Sequence, residues 1–149
     1  MTLSRHHNQT LAQRAISFVI KYELKHGSRR VDDVQTIRGN NGYDLVSWRS
    51  VRRNIEVKGT TRRIPDSHST EFKNGRLVAT HLYVVQYSRS GRGNPKLFII
   101  LRNDIKPDDI RPLIRYRFTS AAQRRLISSA HALRSDGRGA DGAKGAGSG

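Results

Sequence analysis

The sequence predicts an α/β domain in which a mixed β-sheet is packed between helices. Three observations support this: helical spacing of apolar residues near both ends of the chain, three short strand-like runs after the first helical segment, and two strongly apolar runs in the second half. The order of one helix, three strands, a further helix, two strands and a last helix is typical of an α/β sandwich. With 149 residues and no visible internal repeat, the chain has the length of one domain.

Helices are predicted over residues 10–26 and 119–134. Apolar positions recur at three- and four-residue steps in the first of them, at Ala12, Ile16, Val19 and Ile20. The corresponding positions in the second are Ala122, Leu126, Ala130 and Leu133. Gly27 ends the first helix and Thr119 can cap the second, so both segments have helix boundaries as well as helical spacing.

Strands are predicted at five places, over residues 30–37, 42–48, 54–60, 82–87 and 96–101. The last two are almost continuously apolar, which is typical of central strands buried on both faces. Residues 66–80 are ambiguous. Ser67 or Ser69 can cap a helix there, although Asn74-Gly75 weakens it. We expect a helix in this segment, between the third and fourth strands.

The charge is strongly positive: 28 Lys and Arg stand against 12 Asp and Glu, giving +16. A domain with such an excess is expected to bind a polyanion, and nucleic acid is favoured over an anionic membrane surface. The chain has no cysteine, which excludes disulfides, thiolate metal sites and a cysteine nucleophile. We expect a folded domain over residues 1–134, a disordered Gly/Ala-rich tail over residues 135–149, and a cytoplasmic, nucleoid-associated protein.

Three acidic residues lie inside apolar runs, where an unpaired carboxylate is costly. They are Glu23, Asp44 and Glu56. The strand period places Glu56 and Lys58 on one face, and a hairpin centred on Ser50 places Asp44 opposite Glu56. Glu23 lies on the buried stripe of the first helix and is expected to reach the same place. Taken alone, Ile55-Glu56-Val57-Lys58 is also an ordinary amphipathic strand.

Carboxylates collected in this way suit Mg²⁺ or Mn²⁺, because hard divalent cations prefer oxygen ligands. A basic surface around them would bind the phosphates of a nucleic acid. The candidate contact residues are the arginines after the third strand, in the glycine-rich loop of residues 88–95 and on the last helix: Arg62, Arg63, Arg89, Arg92, Arg124 and Arg125. That loop is equally compatible with a solvated hairpin turn.

Gly42-Tyr43-Asp44 followed by Ile55-Glu56-Val57-Lys58-Gly59-Thr60 resembles the signature of the PD-(D/E)XK, or restriction-endonuclease-like, nuclease superfamily. Within it, the sequence is most similar to the C-terminal domain family first described in the plant protein NO VEIN. The resemblance covers about half the chain and implies an αβββαβ core with a central mixed sheet flanked by helices, extended here by a C-terminal helix.

The resemblance also implies roles for the site residues. Asp44 and Glu56 would be the metal-binding acids, the Val57 main-chain carbonyl a further metal ligand, and Lys58 the catalytic lysine. Glu23 would correspond to the acid that such nucleases carry on the first helix.

The leading hypothesis is therefore a Mg²⁺-dependent DNA endonuclease that hydrolyses phosphodiester bonds. We expect it to need no organic cofactor and no membrane partner, and a homodimer is one expected form. The alternative is a non-catalytic module that binds DNA or structured RNA, in which the same residues form a buried ion pair or a decayed nuclease site. A ribosome-associated RNA-binding protein would also explain the charge, but it would leave Asp44 and Glu56 unexplained.

Overall fold

The computed structural model describes residues 3–39, 42–67, 71–111 and 117–134. The elements are α1 (Leu3–Lys25), β1 (Arg30–Asp33), β2 (Leu45–Trp48), β3 (Arg52–Thr60), β4 (Phe72–Lys73), β5 (Arg76–Leu77), β6 (His81–Gln86), β7 (Lys96–Leu101), β8 (Ile110–Arg111), β9 (Arg117–Phe118), α2 (Ser120–Ser129) and β10 (His131–Arg134). Single 3-10 turns lie at Arg102–Asp104 and Pro107–Asp109. The α/β class is thus confirmed, and the predicted tail lies outside the described residues.

The central sheet is mixed, with the strand order β1-β2-β3-β6-β7 and β10 added at the β7 edge. β3 and β6 run parallel, whereas the other neighbouring pairs in this sheet are antiparallel. The predicted hairpin register is confirmed, because Leu45 pairs with Ile55 and Trp48 with Arg52, symmetrically about Ser50. This register brings the residues just before β2 beside the middle of β3.

The segment between β3 and β6 differs from the prediction. Within its described part the structure has the hairpin β4–β5 in place of a helix, so the αβββαβ order is wrong at this point. Asn74 and Gly75 both have positive φ, at 52° and 72°. Asn-Gly is the preferred pair for a two-residue turn of this kind, because both central residues must be left-handed. The dipeptide that weakened the helix therefore forms the turn of a hairpin.

The C-terminal helix is shorter than predicted and is followed by a strand. Thr119 caps α2 by accepting a hydrogen bond from the Ala122 amide at 3.1 Å, as expected. The Ser128 and Ser129 hydroxyls donate back to main-chain carbonyls at the other end, a pattern that competes with helix continuation. Ala130 is already extended, and His131–Arg134 pairs with β7. At the other end of the chain, α1 begins at Leu3, seven residues before the predicted start.

Each face of the sheet packs against its own apolar cluster. The face covered by α1, here called the α1 face, contributes residues such as Leu45, Ile55, Val57 and Tyr83. The opposite face packs against α2 and the β4–β5 hairpin through Leu82, Val84, Phe98, Ile100, Phe72, Leu77, Ala122 and Leu126. No helix in the described part of the chain is both long and apolar enough to cross a membrane.

Candidate active site

Four charged residues lie together on the face opposite α1, and we call them the acidic cluster: Asp44, Glu56, Lys58 and Glu71. Because Ile55 and Val57 point to the α1 face, the strand period directs Glu56 and Lys58 to the opposite face. Asp44 comes just before β2, where the hairpin register sets it opposite Glu56. Glu71 comes just before β4 and approaches from the hairpin that covers this face.

Lys58 connects two of the acids. Its ammonium Nζ lies 2.9 Å from Glu56 Oε1 and 2.8 Å from Glu71 Oε1. Asp44 is fixed by the main chain instead: its carboxylate accepts a hydrogen bond from the Val57 amide at 2.9 Å, and its own amide donates to the Ile55 carbonyl at 2.9 Å. The cluster is therefore built on β3 and the start of β2, and Glu71 is added to it from the start of β4.

Burial and like charge make this cluster electrostatically unfavourable. Glu56 is 4% exposed and Glu71 7%, and three carboxylates against one ammonium leave two negative charges when all are ionised. Burial, together with the charges of Asp44 and Glu71, raises the pKa of Glu56 to about 9 despite the nearby Lys58. Burial also raises the pKa of Asp44, in spite of the hydrogen bond from Val57. A proton or a cation is therefore favoured here.

Lys58 remains a cation in these surroundings. Burial alone would lower the pKa of the Lys58 ammonium, but the charges of Glu56 and Glu71, and the hydrogen bonds to them, outweigh burial and raise it. An ammonium with a raised pKa keeps its proton at neutral pH. Lys58 is therefore suited to stabilise negative charge rather than to abstract a proton.

The donor chemistry of the acidic cluster fits a hard divalent cation. Its carboxylate oxygens are the ligand type that Mg²⁺ and Mn²⁺ take, and the two negative charges left when all three carboxylates are ionised match one such ion. Glu71 Oε2 is buried and has no hydrogen-bond partner among the described residues. As the side chains stand, no three acidic or histidine residues in the described ranges are spaced to share an ion. A cation at this place would therefore take over contacts that Lys58 now makes.

Glu23 is not part of this cluster, and the expectation that it reaches the same place is wrong. Its carboxylate is fully buried on the α1 face, where it accepts hydrogen bonds from Ser47 Oγ at 2.5 Å and Tyr83 Oη at 2.6 Å. Ser28 donates to it at 3.0 Å, and the Arg49 guanidinium donates to both of its oxygens, at 3.1 and 2.8 Å. The sheet separates this Glu23 network from the acidic cluster, because Ser47 and Tyr83 belong to the α1 face.

Four of the predicted nucleic-acid contacts lie at one edge of the sheet. Arg62 and Arg63 are exposed in the bend after β3, and Arg89 and Arg92 are exposed in the loop after β6. Because β3 and β6 are parallel, their carboxyl ends lie together, and Gln86 at the end of β6 donates to the Arg62 carbonyl at 2.9 Å. These four residues form what we call the basic edge.

The two helix arginines differ from each other. Arg124 is exposed on α2, whereas Arg125 forms an ion pair with Asp109 and is less available to a ligand. Sequence reasoning missed Arg111, which lines a cleft of about 340 Å³ with Arg63 and the start of α2. Sequence reasoning also left Glu71 out of the site. The Asn74-Gly75 pair, three residues after Glu71, is the signal for the hairpin that brings Glu71 to Lys58.

Comparisons with known proteins assign no family to this chain, so the site is interpreted from its residues alone. Scans of protein-family models, of curated proteins and of solved structures each give no match for this chain.

Proposed function

We propose that this protein is a Mg²⁺-dependent DNA endonuclease that hydrolyses phosphodiester bonds. The observation that carries the proposal is the convergence of Asp44, Glu56 and Lys58 on one buried face of the sheet, in a chain with a net charge of +16. Paired carboxylates beside a lysine suit metal-assisted hydrolysis, and the excess of cations suits a polyanionic substrate.

The cation would be held by Asp44, Glu56 and the Val57 main-chain carbonyl, with Glu71 as a further carboxylate. When bound, Mg²⁺ or Mn²⁺ supplies a coordinated water of lowered pKa and neutralises charge on the phosphodiester. Asp44 is well prepared for this role, because its bond from the Val57 amide fixes its position against β3. Glu56 would give up a proton on ligation, since its pKa lies near 9 without a cation.

Lys58 would act on the developing charge of the reaction. Its raised pKa keeps the ammonium protonated, and its side chain is 11% exposed, so it acts in a poorly solvated site where electrostatic stabilisation is strong. With Glu56 and Glu71 no longer paired to it, the Lys58 ammonium would be free to donate to a phosphate oxygen or to orient the attacking water. Lys58→Ala should therefore abolish turnover while leaving metal binding largely intact.

The basic edge would hold the DNA backbone. Arg62 and Arg63 follow β3 only a few residues after Lys58, so a phosphate chain bound along this edge passes close to the acidic cluster. Arg89 and Arg92 extend the same edge across β6. Contacts of this kind position the backbone without reading base sequence, and they weaken as salt rises.

The experiment is plasmid cleavage with Mg²⁺ or Mn²⁺, compared with EDTA. We expect metal-dependent nicking by the wild type and loss of at least about a hundredfold in rate for Glu56→Gln, because a metal ligand is removed. Asp104→Asn is the control, since it removes one exposed carboxylate that is not part of the cluster and should cleave normally. Equal nicking by Glu56→Gln and the wild type would contradict the proposal. So would an absence of nicking by the wild type with every divalent metal tested.

One observation favours a second candidate, a nucleic-acid-binding module without catalysis. Lys58 pairs with both Glu56 and Glu71, as in a buried ion-pair cluster that needs no metal. Such a module would show salt-sensitive DNA binding that Glu56→Gln leaves intact and that no divalent metal alters. Competition between duplex DNA and structured RNA would separate a DNA-binding from an RNA-binding module.

Sedimentation of the protein bound to DNA tests the expected homodimer, and a complex that contains only the monomer would contradict it.

A further inference from the structure

Three residues form a straight row across β1, β2 and β3: Arg30, Trp48 and Arg52. Arg30 pairs with Trp48, and Trp48 pairs with Arg52, so the three side chains point to the same face. The Arg30 guanidinium carbon lies 5.5 Å from the centre of the Trp48 ring, and that of Arg52 lies 5.3 Å from it. Both arginines are within the range of a cation–π interaction.

Each arginine of the row is held by the residue two positions further along its own strand, and Asp32 also holds Trp48. Asp32 accepts hydrogen bonds from Arg30, the closest at 2.6 Å, and one from Trp48 Nε1 at 3.2 Å. Asn54 Oδ1 accepts from Arg52 Nε at 3.2 Å. The Arg30 side chain is nevertheless 67% exposed, and Arg52 is exposed too. The row is therefore a prearranged surface in which two exposed arginines flank a partly buried indole.

The row shares a sheet face with the acidic cluster. Trp48 and Asp44 are four residues apart, an even number, so they point to the same side of β2. At about 3.3 Å per residue the two lie about 13 Å apart along the strand. That distance corresponds to about four nucleotides of a stacked strand, at about 3.4 Å each. A strand bound in the acidic cluster can thus extend to Trp48.

We propose that the Arg30–Trp48–Arg52 row binds unpaired bases of the DNA strand that enters the acidic cluster. The proposal rests on the proposed function and narrows its substrate to DNA with a single-stranded or frayed segment. Indole and guanidinium groups stack on the flat faces of bases, which are accessible only when the bases are unpaired. Arg52, with one hydrogen bond to Asn54, can turn to a phosphate while the base takes its place over the indole.

Trp48 is the chain's one tryptophan, so its fluorescence reports this row alone. The titration uses a 12-nucleotide thymidine oligomer in EDTA, which prevents cleavage, with a 12-base-pair duplex and a 12-nucleotide uridine oligomer as comparison arms. We expect the thymidine oligomer to quench Trp48 and to bind at least about tenfold more tightly than the duplex, and more tightly than the uridine oligomer. By anisotropy of a labelled oligomer, Trp48→Ala should weaken binding by about tenfold, as for loss of one stacked base, and Trp48→Phe by less.

Arg14 provides a matched control on the other face of the sheet. Its guanidinium carbon lies 4.6 Å from the centre of the Tyr87 ring, so Arg14→Ala and Arg52→Ala each remove an arginine from an aromatic ring and one positive charge. We expect Arg52→Ala to weaken binding of the thymidine oligomer several-fold more than Arg14→Ala. Equal effects of the two substitutions would overturn the proposal.

Other outcomes separate this proposal from the nuclease. Unchanged Trp48 fluorescence at saturating oligomer, with binding shown by anisotropy, overturns the row as a base-binding surface and leaves cleavage standing. Tighter binding of the duplex overturns the single-strand assignment, and tighter binding of the uridine oligomer overturns the assignment to DNA. Quenching by the thymidine oligomer without metal-dependent cleavage supports the row and contradicts the nuclease.

Discussion

Glu23 and Glu56, two buried glutamates on opposite faces of the sheet, have opposite electrostatic surroundings. Burial alone would raise the pKa of Glu23, but the hydrogen bonds from Ser47 and Tyr83 and the charge of Arg49 outweigh it, and the pKa lies below its usual value. Burial raises the pKa of Glu56 to about 9, and the charges of Asp44 and Glu71 add to the shift. The protein thus stabilises the ionised form of one glutamate and destabilises that of the other.

This difference separates a structural carboxylate from a candidate ligand. Donors from the α1–β1 connection, β2 and β6 surround Glu23, so its charge is satisfied within the protein and links α1 to the sheet. Glu56 shares the single ammonium of Lys58 with Glu71, and two negative charges would remain if Asp44, Glu56 and Glu71 were all ionised. Buried polar groups that are incompletely satisfied in a folded protein often mark a place where function requires a ligand.

The largest effect is expected from the matched pair Glu23→Gln and Glu56→Gln. Glu23→Gln removes the carboxylate that pairs with Arg49 and leaves a mostly buried guanidinium without its counter-ion, so it should destabilise by about 3 kcal/mol. Glu56→Gln removes a carboxylate that must take up a proton on folding, so it should be neutral or stabilising at pH 8. Urea unfolding followed by circular dichroism measures both, and a larger loss for Glu56→Gln would reverse the comparison.

The pH dependence of metal-free stability tests the same contrast with a smaller effect. Glu56 keeps its proton up to about pH 9 when folded, but loses it near its ordinary value of 4.5 when unfolded. The stability that it contributes is therefore complete below about pH 4.5 and is lost as pH rises through about 9. We expect a decrease of roughly 2 kcal/mol between about pH 6.5 and 8.5.

Urea unfolding in EDTA at several pH values gives this slope. Glu56→Gln is the control, because it cannot titrate and should flatten the slope. His81 does not interfere with this measurement. Burial and the charge of Arg53 lower the pKa of His81 to about 4, so the stability that it contributes is lost only as pH falls below about 6.5, outside the range of about pH 6.5 to 8.5. A wild-type slope equal to that of Glu56→Gln would contradict the raised pKa of Glu56.

Sequence reasoning reached the pairing of Asp44 with Glu56 because it depends on local geometry alone. A strand has a period of two and a short hairpin has a fixed centre, so residue numbers suffice to place Asp44, Glu56 and Lys58 on one face. The chemical role of these residues stays a prediction, since proximity does not establish activity. The α/β class followed in the same way from the spacing of apolar residues.

The failures share a dependence on tertiary packing. The apolar stripe of α1 shows that Glu23 is buried, but not which face of the sheet the helix covers. Glu71 reaches Lys58 only through the β4–β5 hairpin, and the residues after Ser129 have helical spacing yet pair with the free edge of β7. Strand pairing with a distant edge overrides local propensity, and no local pattern in the sequence encodes it.

The smallest effect is expected at Gly59, where α1 approaches the sheet on the face opposite the acidic cluster. A methyl group added at Gly59 would lie 3.0 Å from both Ala15 Cβ and the Leu11 carbonyl oxygen, so α1 must move by a few tenths of an ångström. Gly59→Ala should cost about 1 kcal/mol, at the low end for overpacking.

Thermal unfolding measures the Gly59→Ala loss, which should be smaller in an Ala15→Gly background, because that background lacks one of the two close contacts. Lys58 and Glu56 point away from α1, so plasmid nicking by Gly59→Ala should match the wild type at temperatures below its transition. Lost nicking in a folded Gly59→Ala protein would mean that the two faces are coupled through β3, and the separation between the Glu23 network and the acidic cluster would then fail.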